Sequence, residues 1–95
     1  MKLVGAEKLT QFSKKHATAR SPLENWRQVV ETVEWTKPAD MRMTFRTADV
    51  VGPQTVFNIG GNKYRLIALV NYRLRTVFVQ HILTHTEYDR EDWKQ

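Results

Sequence analysis

Apolar residues recur at helical spacing through the first third of the chain and alternate or run together, as in strands, through much of the second half. Lys2-Leu3-Val4 predicts a short strand that Gly5 ends. Ala6, Leu9, Phe12 and Ala17 then share one helical face with Lys8, Lys14 and Lys15 outside it, which predicts an amphipathic helix from Ala6 to about His16. Lys14-Lys15-His16 reads as its solvated end, where cations offset the helix dipole. Ser21-Pro22-Leu23-Glu24 predicts the next start: Ser21 accepts a backbone N–H, Pro22 suits the first helical position, and Glu24 closes a capping box. Leu23, Trp26, Val30 and Val33, widened by Val29, carry this helix to Trp35 or Thr36, with Trp26 in the core. Lys37-Pro38 stops it. Joined by Thr18-Ala19-Arg20, the two helices form an αα-hairpin.

Pro38 to Phe45 fits either one helical turn or an irregular segment tucking Met and Phe under a sheet, and Arg46 to Gln54 reads as a loop. Thr55 to Leu83 predicts three strands, because Val, Ile, Phe, Tyr and Thr dominate it. Gly60-Gly61-Asn62 supplies the positive φ angles of a tight hairpin, and Arg73-Leu74 a second turn. Alternation puts Lys63, Arg65, Ile67 and Leu69 on one face, and Val77, Val79, His81 and Leu83 on one face of the next strand, with His81 a hydrogen-bonded core histidine. Thr84-x-x-Glu87 reads as a cap box for a short last helix, with His85 and Tyr88 on one face and Trp93 packing back on the sheet. The fold class is therefore α+β: an N-terminal helical hairpin on a small antiparallel sheet, with a short C-terminal helix.

Composition narrows this further. Ninety-five residues make one domain, 1–95, whose modest core buries a little under about 70% of the unfolded surface. With no cysteine, disulfides and Cys-ligated zinc are excluded. The net charge of +5 favours nucleic acid or an acidic partner. No apolar run resembles a signal peptide or a membrane span, so the expectation is a cytosolic protein with no membrane contact.

The charge is also unevenly placed. Val50 to Thr86 contains no carboxylate but holds Lys63, Arg65, Arg73, Arg75, His81 and His85, which suits an anionic ligand such as phosphate. Paired sheet carboxylates, His-Glu-x-x-His and phosphate-binding glycine loops are all missing, so glycosidase, zinc hydrolase and nucleotide-binding chemistry have no support. Neither a metal nor a cofactor is implied.

Val56-Phe-Asn-Ile-Gly-Gly-Asn-Lys-Tyr-Arg-Leu-Ile-Ala68, followed by Thr84-His-x-x-Tyr-Asp89, resembles the HigB-type toxins of bacterial toxin–antitoxin modules, over essentially the whole chain. The resemblance implies a RelE-like fold and an mRNA interferase that cuts messenger RNA, commonly in the ribosomal A site. It also implies a cognate helix-turn-helix antitoxin (HigA-like), with operator DNA reached only through the antitoxin complex. By the same resemblance Tyr64-Arg65-Leu66 makes Arg65 the contact to the scissile phosphate, and His85 and Tyr88 take the cation and tyrosine positions after the last strand. The founding toxin's lysine pair has no counterpart between Thr55 and Ile59.

Metal-free RNA cleavage needs a base for the 2′-hydroxyl, cations for the phosphorane and an acid for the leaving 5′-oxygen. The expected catalytic set is His85 as base or acid, Arg65 and Lys63 on the phosphorane, and Tyr88 stacking or assisting proton transfer. Arg73, Arg75 and Asn62 are the expected additional RNA contacts. Two alternatives remain at this point: a ParE-like toxin that inhibits a topoisomerase without cutting RNA, and a non-catalytic RNA-binding module. Trp35, expected exposed on the helical hairpin, is the candidate antitoxin contact.

Overall fold

A computed structural model of the chain describes residues 1–94, with the side chain of Asp92 left out. The strands are β1 (Lys2–Val4), β2 (Asp49–Val51), β3 (Gln54–Ile59), β4 (Tyr64–Asn71) and β5 (Thr76–Thr84). The helices are α1 (Ala6–Lys15), α2 (Arg20–Thr32), α3 (Pro38–Thr44) and α4 (His85–Asp89). The five strands form one sheet in the order β1-β5-β4-β3-β2, antiparallel except where β1 runs parallel to β5. The α+β architecture expected from the pattern is the one observed.

Gly60 and Gly61, at φ 62° and 69°, turn β3 into β4, and Lys63 N donates to Gly60 O at 3.4 Å. Asn62 does not take a positive φ, contrary to expectation; the left-handed position of the second hairpin falls on Arg75, at φ 53°. The segment expected as a loop before β3 contains β2, because Gly52 at φ 60° closes a hairpin that pairs Asp49 with Val56 and Val51 with Gln54.

The helical region departs from the pattern in two places. The backbone is already helical through a 3₁₀ turn at Ala17–Ala19, so Ser21 lies inside α2 and no side chain caps its start. A capping residue must itself be extended, and Ser21 is not. At the other end α2 stops at Thr32, and Val33 is extended at φ −87° and ψ 159°. Nine helical steps from Trp26 would turn Trp35 to the opposite side of the helix. Breaking early instead buries Trp35 at 2% exposure, with its Nε1 donating to Thr44 Oγ1 at 3.0 Å. Trp35 is therefore no exposed antitoxin contact.

The main core lies between helices and sheet. Trp26, Trp35 and Phe45 surround Phe57, whose ring is edge-on to Trp26 at 5.4 Å and to Phe45 at 5.3 Å. A smaller cluster of Val56, Ile67 and Trp93, flanked by Leu83 and Tyr88, occupies the other face. A β-bulge in β5 decides which β5 residues face which cluster. Ala68 pairs with Val79 and Ile67 with His81, leaving Gln80 without a ladder partner. That extra residue reverses the alternation: Ile82 joins the main core in the place expected for His81, and His81 is exposed. The core-histidine expectation fails because simple alternation cannot anticipate an inserted residue.

Candidate active site at the end of the β4–β5 ladder

The last rung of the ladder sets Tyr64 opposite Thr84, and the rung before it sets Arg65 opposite Leu83. Beyond it, His85 N donates to Lys63 O at 3.2 Å, so the start of α4 is hydrogen-bonded to the end of the glycine hairpin. The expected cap box is present. Thr84 Oγ1 accepts from Glu87 N at 3.2 Å, and Thr84 N donates to Glu87 Oε1 at 2.9 Å. The Thr84 backbone N–H, chiefly, holds the Glu87 carboxyl below its ordinary pKa, against a smaller rise from burial.

Arg65 emerges on the face of the smaller cluster. Its guanidinium lies 5.4 Å from the centre of the Tyr88 ring, within cation–π range, and donates to the Tyr64 carbonyl at 3.1 Å. Tyr88 also stacks on Trp93, with centroids 5.1 Å apart and planes 14° from parallel. Trp93 Nε1 donates to Tyr88 O at 3.1 Å, which fixes the pair. On the same short helix His85 Nδ1 lies 3.3 Å from Asp89 Oδ2, with both side chains more than half exposed. A proton on Nδ1 directed at this carboxylate leaves Nε2 with the free lone pair. Lys63, Arg65, His85 and Tyr88 thus belong to one end of one ladder.

The other expected contacts lie elsewhere. Asn62 is exposed in the glycine turn. Arg73 and Arg75 are exposed in the hairpin at the far end of β4, roughly 25 Å away along the strand.

Three residues given no role by the pattern lie at this end of the ladder. Asp89 orients His85, and its i,i+4 spacing was the available signal. Asn58 stands opposite Arg65 on β3. His16, read as a solvated helix end, stacks on Phe12 at 4.4 Å and sits 5.7 Å from the Tyr64 ring, whose hydroxyl is 2.5 Å from Thr18 Oγ1. No local pattern foretells that contact, because the His16 and Tyr64 rings are brought together only when α1 docks on the sheet.

With this arrangement in view, residues 19–91 match the model of a family described as HigB_toxin, the RelE-like toxic component of a toxin–antitoxin system. The chain belongs to this family. The toxin is 27% identical over 93 residues to the mRNA interferase HigB of Escherichia coli O6:H1, a match covering 95% of this chain and 90% of that one. To the mRNA interferase toxin HigB of Escherichia coli K12 it is 25% identical over 92 residues, covering 94% and 88% respectively. As the toxic component of such a system, the toxin has an antitoxin for its partner. No helix among the described residues is long and apolar enough to cross a membrane.

Proposed function

We propose that this toxin is an mRNA interferase that acts in the cytoplasm, cutting messenger RNA in the ribosomal A site by metal-free attack of a 2′-hydroxyl on the adjacent phosphate. The names of its Escherichia coli relatives support an RNA phosphodiester as the substrate. The observation that carries the reading is the grouping of Arg65, Tyr88 and the His85–Asp89 pair around the last rungs of the β4–β5 ladder.

His85 Nε2 takes the 2′-hydroxyl proton as the 2′-oxygen bonds to phosphorus, and Asp89 holds the imidazolium that forms. Arg65 and Lys63 donate to the non-bridging oxygens of the phosphorane, where negative charge accumulates. The P–O5′ bond then breaks. The leaving oxygen takes a proton from the Tyr88 hydroxyl, which recovers one from solvent as the His85 imidazolium returns its own to solvent, and the products are a 2′,3′-cyclic phosphate and a 5′-hydroxyl. Tyr88 has Trp93 on its ring and Arg65 over it, so its part is to position the guanidinium and offer its hydroxyl rather than to stack on a base. A HigA-like helix-turn-helix antitoxin neutralises the toxin, and operator DNA is met only through that complex.

Primer extension on cellular messages after induction tests the reading. Codon-linked cuts that vanish in Arg65→Ala support it. Intact messages accompanied by DNA damage would overturn it in favour of a ParE-like topoisomerase inhibitor.

A further inference from the structure

Past Val4, which pairs with Phe78, strand β1 no longer covers the outer edge of β5. Helix α1 takes its place there, and Lys8 Nζ donates to Gln80 O at 3.0 Å, occupying one of three ammonium protons. Two grooves run along this part of β5. One, of about 330 Å³, is lined by Lys8, Phe12 and Lys15 of α1 together with Gln80, His81 and Leu83. The other, of about 290 Å³, lies between His81 and Leu83 on one side and Glu87, Arg90 and Trp93 on the other. They meet at His81 and Leu83, and Leu83 is the ladder partner of Arg65. The single carboxylate among these lining residues is Glu87, which is already held by the Thr84 backbone. An exposed imidazole set by a bulge into the middle of an apolar strand adds nothing to the core, and each groove it lines carries a cation on its other side, Lys8 and Lys15 in one and Arg90, beside Glu87, in the other.

We propose that the two grooves form one track for the ribose–phosphate backbone of single-stranded RNA beside the cut site, with Lys8, Lys15, His81 and Arg90 facing successive phosphates. This rests on the mRNA interferase reading and adds a path for the strand. A shallow, cationic and partly aromatic channel suits single strands, which bind through phosphate contacts and tolerate sequence variation. The path also explains why α1 carries its lysines on the side next to β5 and not only on its outer face.

The test uses the whole toxin and a fluorescein-labelled 2′-O-methyl oligoribonucleotide, which lacks the attacking hydroxyl and cannot be cut. Binding is followed by anisotropy across a salt series. Each lost phosphate contact on a single strand lowers the slope of log affinity against log salt by about 0.7, so Lys8→Gln with Lys15→Gln is expected to lower it by about 1.4. Lys14→Gln, on the same helix but outside both grooves, is expected to leave the slope unchanged. No binding by the wild type, an unchanged slope in the double variant, or an equal drop in Lys14→Gln overturns the track. So does a double variant that loses only antitoxin affinity, which would assign the grooves to a protein partner. Wild-type cleavage of ribosome-bound message is read in parallel: cutting with an unchanged slope sinks the track alone, whereas absence of cutting sinks the parent reading.

Discussion

The Arg65 guanidinium meets the Tyr64 carbonyl and the Tyr88 ring, and neither neutralises its charge. A cation so placed retains donors for a phosphorane. Arg65→Ala is expected to reduce cleavage of ribosome-bound message by about 10²–10³-fold, as loss of one oxyanion donor does elsewhere. Arg65→Lys is expected to recover only part of this, since an ammonium lacks the planar fork. His85→Ala is expected to lose about 10²–10⁴-fold in single-turnover rate; wild-type cutting by that variant would remove the imidazole from the mechanism. Where these side chains stand was legible in the sequence, because each place follows from a local motif, a strand after a glycine turn and then a helix cap, whereas their roles came only from the resemblance to HigB-type toxins. Arg73 and Arg75 were equally legible in place, exposed in the second hairpin turn, which sets them at the far end of β4 from this group.

At the scale of elements, the Thr84–Glu87 box fastens the start of α4, a helix of five residues too short to be stable by itself. Thr84→Ala is expected to weaken this helix by about 1 kcal/mol and to impair cutting. The depressed Glu87 pKa fixes the sign of a pH effect. The unfolded chain binds the Glu87 proton more readily than the folded one, so the contribution is present above the ordinary glutamate range, about 4.3, and is lost as pH falls through the lower folded value. Glu87→Gln is expected to flatten that acid limb, which amide resonances of α4 followed by NMR would report. This box was readable because its donors and acceptors lie within four residues. The Ser21 box followed the same pattern, a hydroxyl residue three places before a glutamate, and did not form, since the backbone before it was already helical. The bulge at Gln80 was equally unreadable: only packing decides that Ile82, not His81, turns inward.

On the scale of the whole molecule, the sheet carries two cores of unequal size, and they govern different things. Phe57 sits among Trp26, Trp35 and Phe45 in the main core, and Phe57→Ala is expected to destabilise the entire fold by about 3–5 kcal/mol. At about 4–8 °C per kcal/mol for a domain of this size, that lowers Tm by tens of degrees or abolishes folding. Trp93 instead joins Val56 and Ile67 on the opposite face and holds Tyr88 through stacking and a hydrogen bond. Trp93→Ala is expected to free the C-terminal segment while leaving the helical face packed, because locally anchored elements open below the global unfolding free energy. Hydrogen exchange followed by mass spectrometry separates the two outcomes. Protection should fall only around residues 84–94 in Trp93→Ala, with cutting lost and β3 and β4 unchanged. A global loss of protection would mean that the smaller cluster supports the whole sheet, and that Tyr88 cannot be detached from Arg65 without unfolding the toxin.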